Sequence, residues 1–124
     1  MAAFDWTQYL ILARKLGSEN EESALRSAIS RAYYAAFKTA EHYCENRGIP
    51  IIDTGKPHQD VWDAFLAKGG TTFNSVYDKG ERLKRKRVKA DYRTNVTGLP
   101  SMVLDSLRDS YAILSYLGAS PPAP

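Results

Sequence analysis

Residues 18–48 read SENEESALRSAISRAYYAAFKTAEHYCENRG, and this uninterrupted segment decides the fold. It contains no proline, and its single glycine, Gly48, is the last residue. Apolar side chains recur every three or four residues, the spacing that places them on one face of an α-helix. We therefore predict a long helix from residue 18 or 20 to residue 47, ended by Gly48. Its apolar stripe comprises Leu25, Ile29, Ala32, Ala36, Ala40 and Tyr43.

Four further helices are predicted around this central one. Breaks rich in glycine and proline separate stretches that have the same apolar periodicity. No convincing strand pattern occurs, so we expect an all-α, up-and-down bundle of four main helices plus one short helix, formed by residues 1–118. Residues 119–124 are predicted to be a disordered C-terminal tail. The further helices are expected at 5–16, 58–68 (the short one), 72 or 73 to 92 or 93, and 100–117.

Several residues mark the expected helix ends and crossings. Asp5 is suited to capping the first helix, and Gly17 to ending it in a left-handed conformation. Ser18 and Glu21 have the spacing of a capping box at the start of the long helix. Gly80 lies in the middle of the fourth predicted helix, where glycine disfavours helix formation by about 1 kcal/mol relative to alanine. We interpret Gly80 as a kink or a close crossing with the long helix.

The composition is that of a globular domain, with 44% hydrophobic and 25% charged residues. No apolar run approaches the roughly 20 residues that span a bilayer, so no membrane association is expected. The first residues lack the basic and apolar regions of a secretory signal, and the single cysteine, Cys44, has no internal disulfide partner. These features predict a cytoplasmic protein.

Positive charge is concentrated on the fourth predicted helix. Seven basic residues and one acid lie between residues 82 and 93, a net charge of +6, whereas the whole chain carries +3. The remainder is therefore mildly acidic, and the local acids look too few to neutralise the segment. Such a separation favours a polyanionic partner, which leaves nucleic acid (RNA or DNA), nucleotide phosphates and an acidic protein open. Apart from Arg87, the basic candidates for RNA binding here are Arg82, Lys84, Arg85, Lys86, Lys89 and Arg93.

Arg87 occupies a position of this helix where the pattern calls for an apolar side chain. The inward stripe continues through Leu83 and Ala90, so the Arg87 guanidinium should face an inner seam and require a partner. Asp91 lies four residues later on the same face, and Tyr92 follows it. Two interpretations stay open: a structural ion pair beside solvated cations, or an arginine poised to contact phosphate bidentately.

The long helix contributes a second candidate surface at Arg31 and Tyr34, which are three residues apart. Tyrosine rings beside an arginine are able to stack nucleic-acid bases. The alternative is that Tyr33 and Tyr34 pack in the core and form hydrogen bonds through their hydroxyl groups.

Taken together, these segments resemble a HEPN domain over roughly residues 5–117. The resemblance rests on Arg26 and the run SRAYYAAF at 30–37, on His58 at the start of the short helix, and on Leu83 with RVKADY at 87–92. It implies a bundle of four or five helices that often dimerises. Many such domains are metal-independent ribonucleases of toxin–antitoxin or other defence systems, and others bind nucleotides or pair with minimal nucleotidyltransferases.

The ribonuclease motif of that family is an arginine followed, after four to six residues, by a histidine. Arg85 or Arg87 matches the arginine here, but Asp91 or Tyr92 stands where the histidine belongs. His58 is left either to approach the site or to serve at a helix end, and we interpret His42, near Glu41 and Glu45, as a surface residue. No clustered ligand spacing predicts a metal site, and no cofactor is expected.

Two functions follow from the resemblance and the charge pattern. In the first, a homodimer binds RNA and cleaves it without metal, with Arg87, Asp91 and Tyr92 as the catalytic residues. In the second, the chain is a non-catalytic partner that binds a nucleotidyltransferase or nucleotides through the same surface.

Overall fold

A computed structural model describes residues 3–119, and within them the chain is helical, without strands. The helices are α1 (Gln8–Gly17), α2 (Glu22–Arg47), α3 (Pro57–Lys68), α4 (Thr71–Tyr92) and α5 (Leu99–Tyr116). The predicted all-α bundle is confirmed, although α1, at 10 residues, is even shorter than the 12-residue α3. Most of the predicted C-terminal tail, residues 120–124, lies outside the described residues.

Helix α2 is the centre of the bundle and packs against all four other helices. Small side chains along it let neighbouring backbones approach closely, and the stripe identified in the sequence forms much of the core. Tyr43, at the end of that stripe, is half-buried. The fully buried α2 positions are Ala28, Ile29, Ala32, Tyr33, Ala35, Ala36, Ala40 and Cys44.

Gly80 marks a close crossing, but with α3 rather than with α2 as the sequence suggested. A Cβ atom at this position would lie 2.4 Å from two ring atoms of Trp62. The Trp62 side chain is fully buried, so it has no room to withdraw. The absence of a side chain at residue 80 is therefore what allows the Trp62 indole to pack against α4.

Two predictions about the connection between α1 and α2 were wrong. Gly17 has no positive φ and belongs to α1; its Cα faces α5, where an added Cβ would lie 2.9 Å from Cγ1 of Val103. Ser18 and Glu21 form no capping box, because the Ser18 hydroxyl donates to the Lys15 carbonyl. Gly48 does end α2 in the left-handed region, with φ of 65°.

Two smaller expectations are also settled. The Asp5 carboxylate accepts hydrogen bonds from the backbone and hydroxyl of Thr7, but Thr7 rather than Asp5 is the N-cap of α1, so the predicted cap was wrong. Leu66 of α3 is exposed although it is apolar. None of the helices in residues 3–119 combines the length and apolar character needed to cross a membrane.

Candidate anion-binding site

Arg87 lies on the face of α4 that meets α2, with only 15% of its side chain exposed. Three tyrosine rings surround the guanidinium carbon: the ring centres of Tyr34, Tyr92 and Tyr33 are 5.2, 5.4 and 6.0 Å away. Contacts of this kind attract a cation to the negative faces of the rings. The inner seam predicted for Arg87 is thus an aromatic cage that holds a charged group.

Asp91 engages one edge of this guanidinium. The Arg87 Nε–H donates to Asp91 Oδ2 at 2.8 Å, and the Ser30 hydroxyl donates to the same oxygen at 3.3 Å. The terminal nitrogens of Arg87 form no hydrogen bond within residues 3–119, and neither is a buried unpaired atom. The caged cation therefore keeps two N–H-bearing nitrogens for a ligand.

Arg87 stays protonated in this position. Burial acts to lower the pKa of Arg87, but Tyr34, Asp91 and Tyr92 outweigh that effect, so the pKa lies above its ordinary value. A guanidinium that stays charged and is only partly hydrated binds phosphate or carboxylate well.

Arg31 and Tyr34 lie together, as their spacing on α2 suggested, and the structure adds a contact between Tyr34 and Arg87. The Arg31 guanidinium carbon lies 5.4 Å from the Tyr34 ring centre and 4.7 Å from that of Tyr9. Tyr34 is half-buried and carries two arginines on its ring. The Tyr34 ring therefore helps to position the guanidinium groups of Arg31 and Arg87. A nucleic-acid base that stacked on this ring would lie next to both arginines.

The rest of the basic segment is divided among three sides of α4. Arg82 forms two hydrogen bonds to the Asp109 carboxylate of α5, at 2.9 and 3.2 Å, and Lys86 Nζ lies 3.9 Å from that group. Lys84 turns toward α3 and contacts Gln59 and Glu81. On the α5-facing side, Arg82 and Lys86 share the one carboxylate of Asp109, which offsets part of their charge. Arg85 and Arg93 are exposed, and Lys89 is half-buried.

Arg26 is a residue whose role the sequence did not reveal. Its guanidinium donates to three carbonyl oxygens at the end of α4, those of Ala90, Arg93 and Thr94, at 3.0, 2.6 and 3.0 Å. Carbonyls at a helix C-terminus lack partners within the helix, so this contact caps α4 from a neighbouring helix. It fixes the turn that carries Asp91 and Tyr92.

Tyr33 and His58 also belong to the site region. Tyr33 is fully buried, and its hydroxyl lies 2.8 Å from His58 Nδ1. The sequence contains a signal for the α2 face that contributes to this site. Along that face the residues are spaced by three or four positions and form a second stripe beside the apolar one: Arg26, Ser30, Tyr33 and Phe37.

Within residues 3–119, no three histidine, cysteine, aspartate or glutamate side chains cluster as a metal site would require. The site consists instead of cations, hydroxyl groups and aromatic rings. No known protein family, curated protein or solved structure gives a significant match to this chain.

Proposed function

We propose that this chain is a HEPN-like RNA-binding protein whose Arg87 contacts the phosphate backbone. The five-helix bundle is the architecture that the resemblance implies, and the aromatic cage lies where the resemblance places its functional arginine. The exposed or half-exposed cations Arg85, Lys89 and Arg93 extend the positive surface beyond the cage. Backbone contacts of this kind supply affinity without reading the base sequence.

The observation that carries the proposal is the partial engagement of Arg87. Asp91 holds Nε, while the two terminal nitrogens have no partner in the described part of the chain. A structural ion pair would be expected to use the guanidinium more fully, as Arg82 does with Asp109. Terminal nitrogens held in a fixed plane match two oxygens of a phosphate group.

Metal-independent cleavage is the enzymatic extension of this proposal. The 2′-oxygen of the RNA would attack the adjacent phosphorus as the bond to the 5′-oxygen breaks, and the 2′-hydroxyl proton would finally reside on the departing oxygen. Arg87 would stabilise negative charge that develops on the phosphate oxygens. Asp91 would orient Arg87, and the exposed Tyr92 hydroxyl would hydrogen-bond the ribose or phosphate.

RNA binding is tested by fluorescence anisotropy with a labelled single-stranded RNA at several salt concentrations. We expect Arg87→Ala to weaken binding about tenfold or more, since a hydrogen-bonded charge contributes about 1.5–3 kcal/mol. Arg47→Ala, which removes the same charge at the far end of α2, is the matched control and should change affinity less than twofold. Equal affinities for the two variants, or binding that ignores salt, would overturn the proposal.

Cleavage is tested separately by incubating the RNA with the protein and a chelator. Loss of cleavage in Arg87→Ala, with an unchanged circular dichroism spectrum, supports catalysis by this site. RNA binding without cleavage leaves the chain as a binding protein.

A second candidate function is a protein-partner role, and the exposed residues of α4 favour it. Tyr92 is 72% exposed and Val88, one turn earlier, is 43% exposed, so an aromatic and an aliphatic group share an outward face. Such a face suits a second copy of the chain or a nucleotidyltransferase. Sedimentation equilibrium of the wild type and of Val88→Glu tests the homodimer, and loss of a co-purified partner in Tyr92→Ala tests the heteromeric alternative.

A further inference from the structure

A hydrogen-bond chain runs from the core to His58. Trp62 Nε1–H donates to the Tyr33 hydroxyl oxygen at 3.2 Å, and that hydroxyl lies 2.8 Å from His58 Nδ1. An indole nitrogen only donates, so the single proton of the Tyr33 hydroxyl is available to His58. Burial raises the pKa of Tyr33, which keeps this hydroxyl protonated. Donation by this hydroxyl makes His58 Nδ1 the acceptor, and neutral His58 then bears its proton on Nε2.

The imidazole ring is held firmly in that orientation. It stacks on Phe37, with ring centres 4.4 Å apart and planes 22° apart, and it stacks on Tyr33 at 5.6 Å. Nε2 forms no hydrogen bond within residues 3–119 and is not a buried unpaired atom. The N–H at Nε2 is thus fixed in direction and available to a ligand.

An open pocket of about 450 Å³ is lined by Lys56, Pro57, His58, Gln59 and Lys84. The lining brings two ammonium groups and one imidazole together. Lys84 is positioned by the Gln59 side-chain oxygen and lies 3.5 Å from Glu81 Oε1, which offsets part of its charge. The lining residues include two lysines and no carboxylate, so the lining favours an anion, while Glu81, Asp60 and Glu41 act on Lys84, Lys56 and His58 from outside it.

We propose that this pocket is a second ligand site, next to the Arg87 cage and linked to it through Tyr33, which binds the phosphate of a phosphomonoester. His58 donates to a phosphate oxygen from Nε2, while Lys56 and Lys84 supply charge from the other sides. The pocket volume is in the range that accommodates a small organic ligand, so it has room for a nucleoside beyond the phosphate. A free mononucleotide and the phosphorylated end of an RNA share this chemistry.

The charges around His58 support a neutral donor. Burial lowers the pKa of His58, and Arg87 and Lys84 lower it further, while Glu41 opposes them. The imidazole therefore remains neutral near pH 7 and keeps its Nε2 proton for donation. Ligand binding in this pocket does not require that Arg87 bind RNA, so the two proposals can fail independently.

Histidine NMR tests the proposal directly, because the chain contains only His42 and His58. Long-range ¹H–¹⁵N spectra of ¹⁵N-histidine-labelled protein, assigned with His42→Gln, report the tautomer of each ring. We expect His58 in the Nε2–H form, and a saturable shift of its Nε2 resonance when inorganic phosphate or adenosine 5′-monophosphate is added. His58 in the Nδ1–H form, or no saturable shift with either probe, would overturn the proposal.

Amino-acid substitutions distinguish specific binding in this pocket from nonspecific attraction of anions to a positively charged surface. Lys84→Met should weaken adenosine 5′-monophosphate binding at least fivefold, whereas Lys68→Met, at the opposite end of α3, should leave it within twofold. Tyr33→Phe should produce a mixture of His58 tautomers while circular dichroism stays helical, since only the positioning hydroxyl is lost. Equal effects of the two lysine variants, or an unchanged tautomer in Tyr33→Phe, would contradict the assignment.

The ligand source is decided by comparing matched short RNAs. Tighter binding of a 5′-phosphorylated RNA than of its 5′-hydroxyl form supports an RNA end, with Lys84→Met abolishing the difference. Equal binding of the two RNAs, together with saturable binding of the mononucleotide, supports a free nucleotide. If neither the phosphorylated RNA end nor the mononucleotide binds more tightly than chloride at equal ionic strength, the pocket is not a phosphomonoester site.

Discussion

Arg87 of α4 and Tyr34 of α2 are joined by a cation–π contact, with 5.2 Å between the guanidinium carbon and the ring centre. The same ring also contacts Arg31, at 5.4 Å. One aromatic side chain therefore holds two like charges on adjacent helices. It also sets where the free nitrogens of Arg87 lie relative to solvent.

Removing this ring should weaken the site more than the fold. Tyr34→Leu is expected to lower RNA affinity about threefold to tenfold, because Arg87 loses a contact of about 0.5–2 kcal/mol that orders it. Tyr34→Phe keeps the ring and serves as the matched control, with affinity within twofold of wild type. Anisotropy titrations compare the three proteins, and equal losses in both variants would show that the hydroxyl, rather than the ring, is what matters.

Gly80→Ala should destabilise the bundle despite the higher helix propensity of alanine. The new methyl group would lie 2.4 Å from the Trp62 ring, and overpacking of this kind costs about 1–3 kcal/mol or more. The propensity gain of about 1 kcal/mol offsets only part of this cost. Urea unfolding should therefore give a lower midpoint.

The control for this substitution is Asp78→Ala, at an exposed position two residues earlier. It should leave stability within about 0.5 kcal/mol of wild type. A Gly80→Ala protein as stable as this control would mean that α3 and α4 are farther apart than the structure has them.

Arg26→Ala should destabilise the end of α4 by about 1.5–3 kcal/mol, because three carbonyl oxygens lose a charged donor. Amide hydrogen exchange should accelerate first in residues 89–94. Glu22→Gln removes only the exposed ion pair to Arg26 and should change stability by less than about 0.5 kcal/mol. Similar losses in both variants would assign the effect to the ion pair instead of the carbonyl cap.

His58 should make stability depend on pH on the acidic side of neutrality. Burial, Arg87 and Lys84 lower its pKa in the folded protein below the ordinary 6.5, and Glu41 acts in the opposite direction. Below pH 6.5 the unfolded chain binds a proton at this residue before the folded chain does, so stability falls as pH falls. Above that pH both states are neutral there, and the dependence on this group disappears.

Urea midpoints between about pH 7.5 and 5.5, across the ordinary histidine range, measure this effect. His58→Gln should reduce the slope, and His42→Gln, which alters an exposed histidine, should preserve it. A slope that survives in His58→Gln and vanishes in His42→Gln would contradict the half-buried position of His58 beside Arg87 and Lys84.

The helices were largely predictable because their signal is local. The α2 stripe and the stop at Gly48 follow from residues a few positions apart, and the structure agrees with both. Helix ends were less predictable at Gly17, because its role depends on contact with Val103 of α5. Spacing alone also favoured a capping box at Ser18 that the chain does not form.

The same distinction applies to the candidate site. The i,i+4 relation of Arg87 and Asp91 predicted their ion pair, which the structure contains at 2.8 Å. The local sequence held no information about Asp109, which pairs with Arg82 and lies near Lys86, or about the Arg26 cap. Those partners lie on other helices.

By itself, the amino-acid sequence determined the five helices, the basic character of the fourth and the presence of an arginine on its inner face. Helical periodicity fixes such features within a few turns, before any packing occurs. Only tertiary structure decided which cations are paired and that His58 meets Tyr33, 25 residues earlier in the chain. That choice depends on how rigid helices pack side by side, and the distance between two residues on different helices is set by their neighbours rather than by their own spacing.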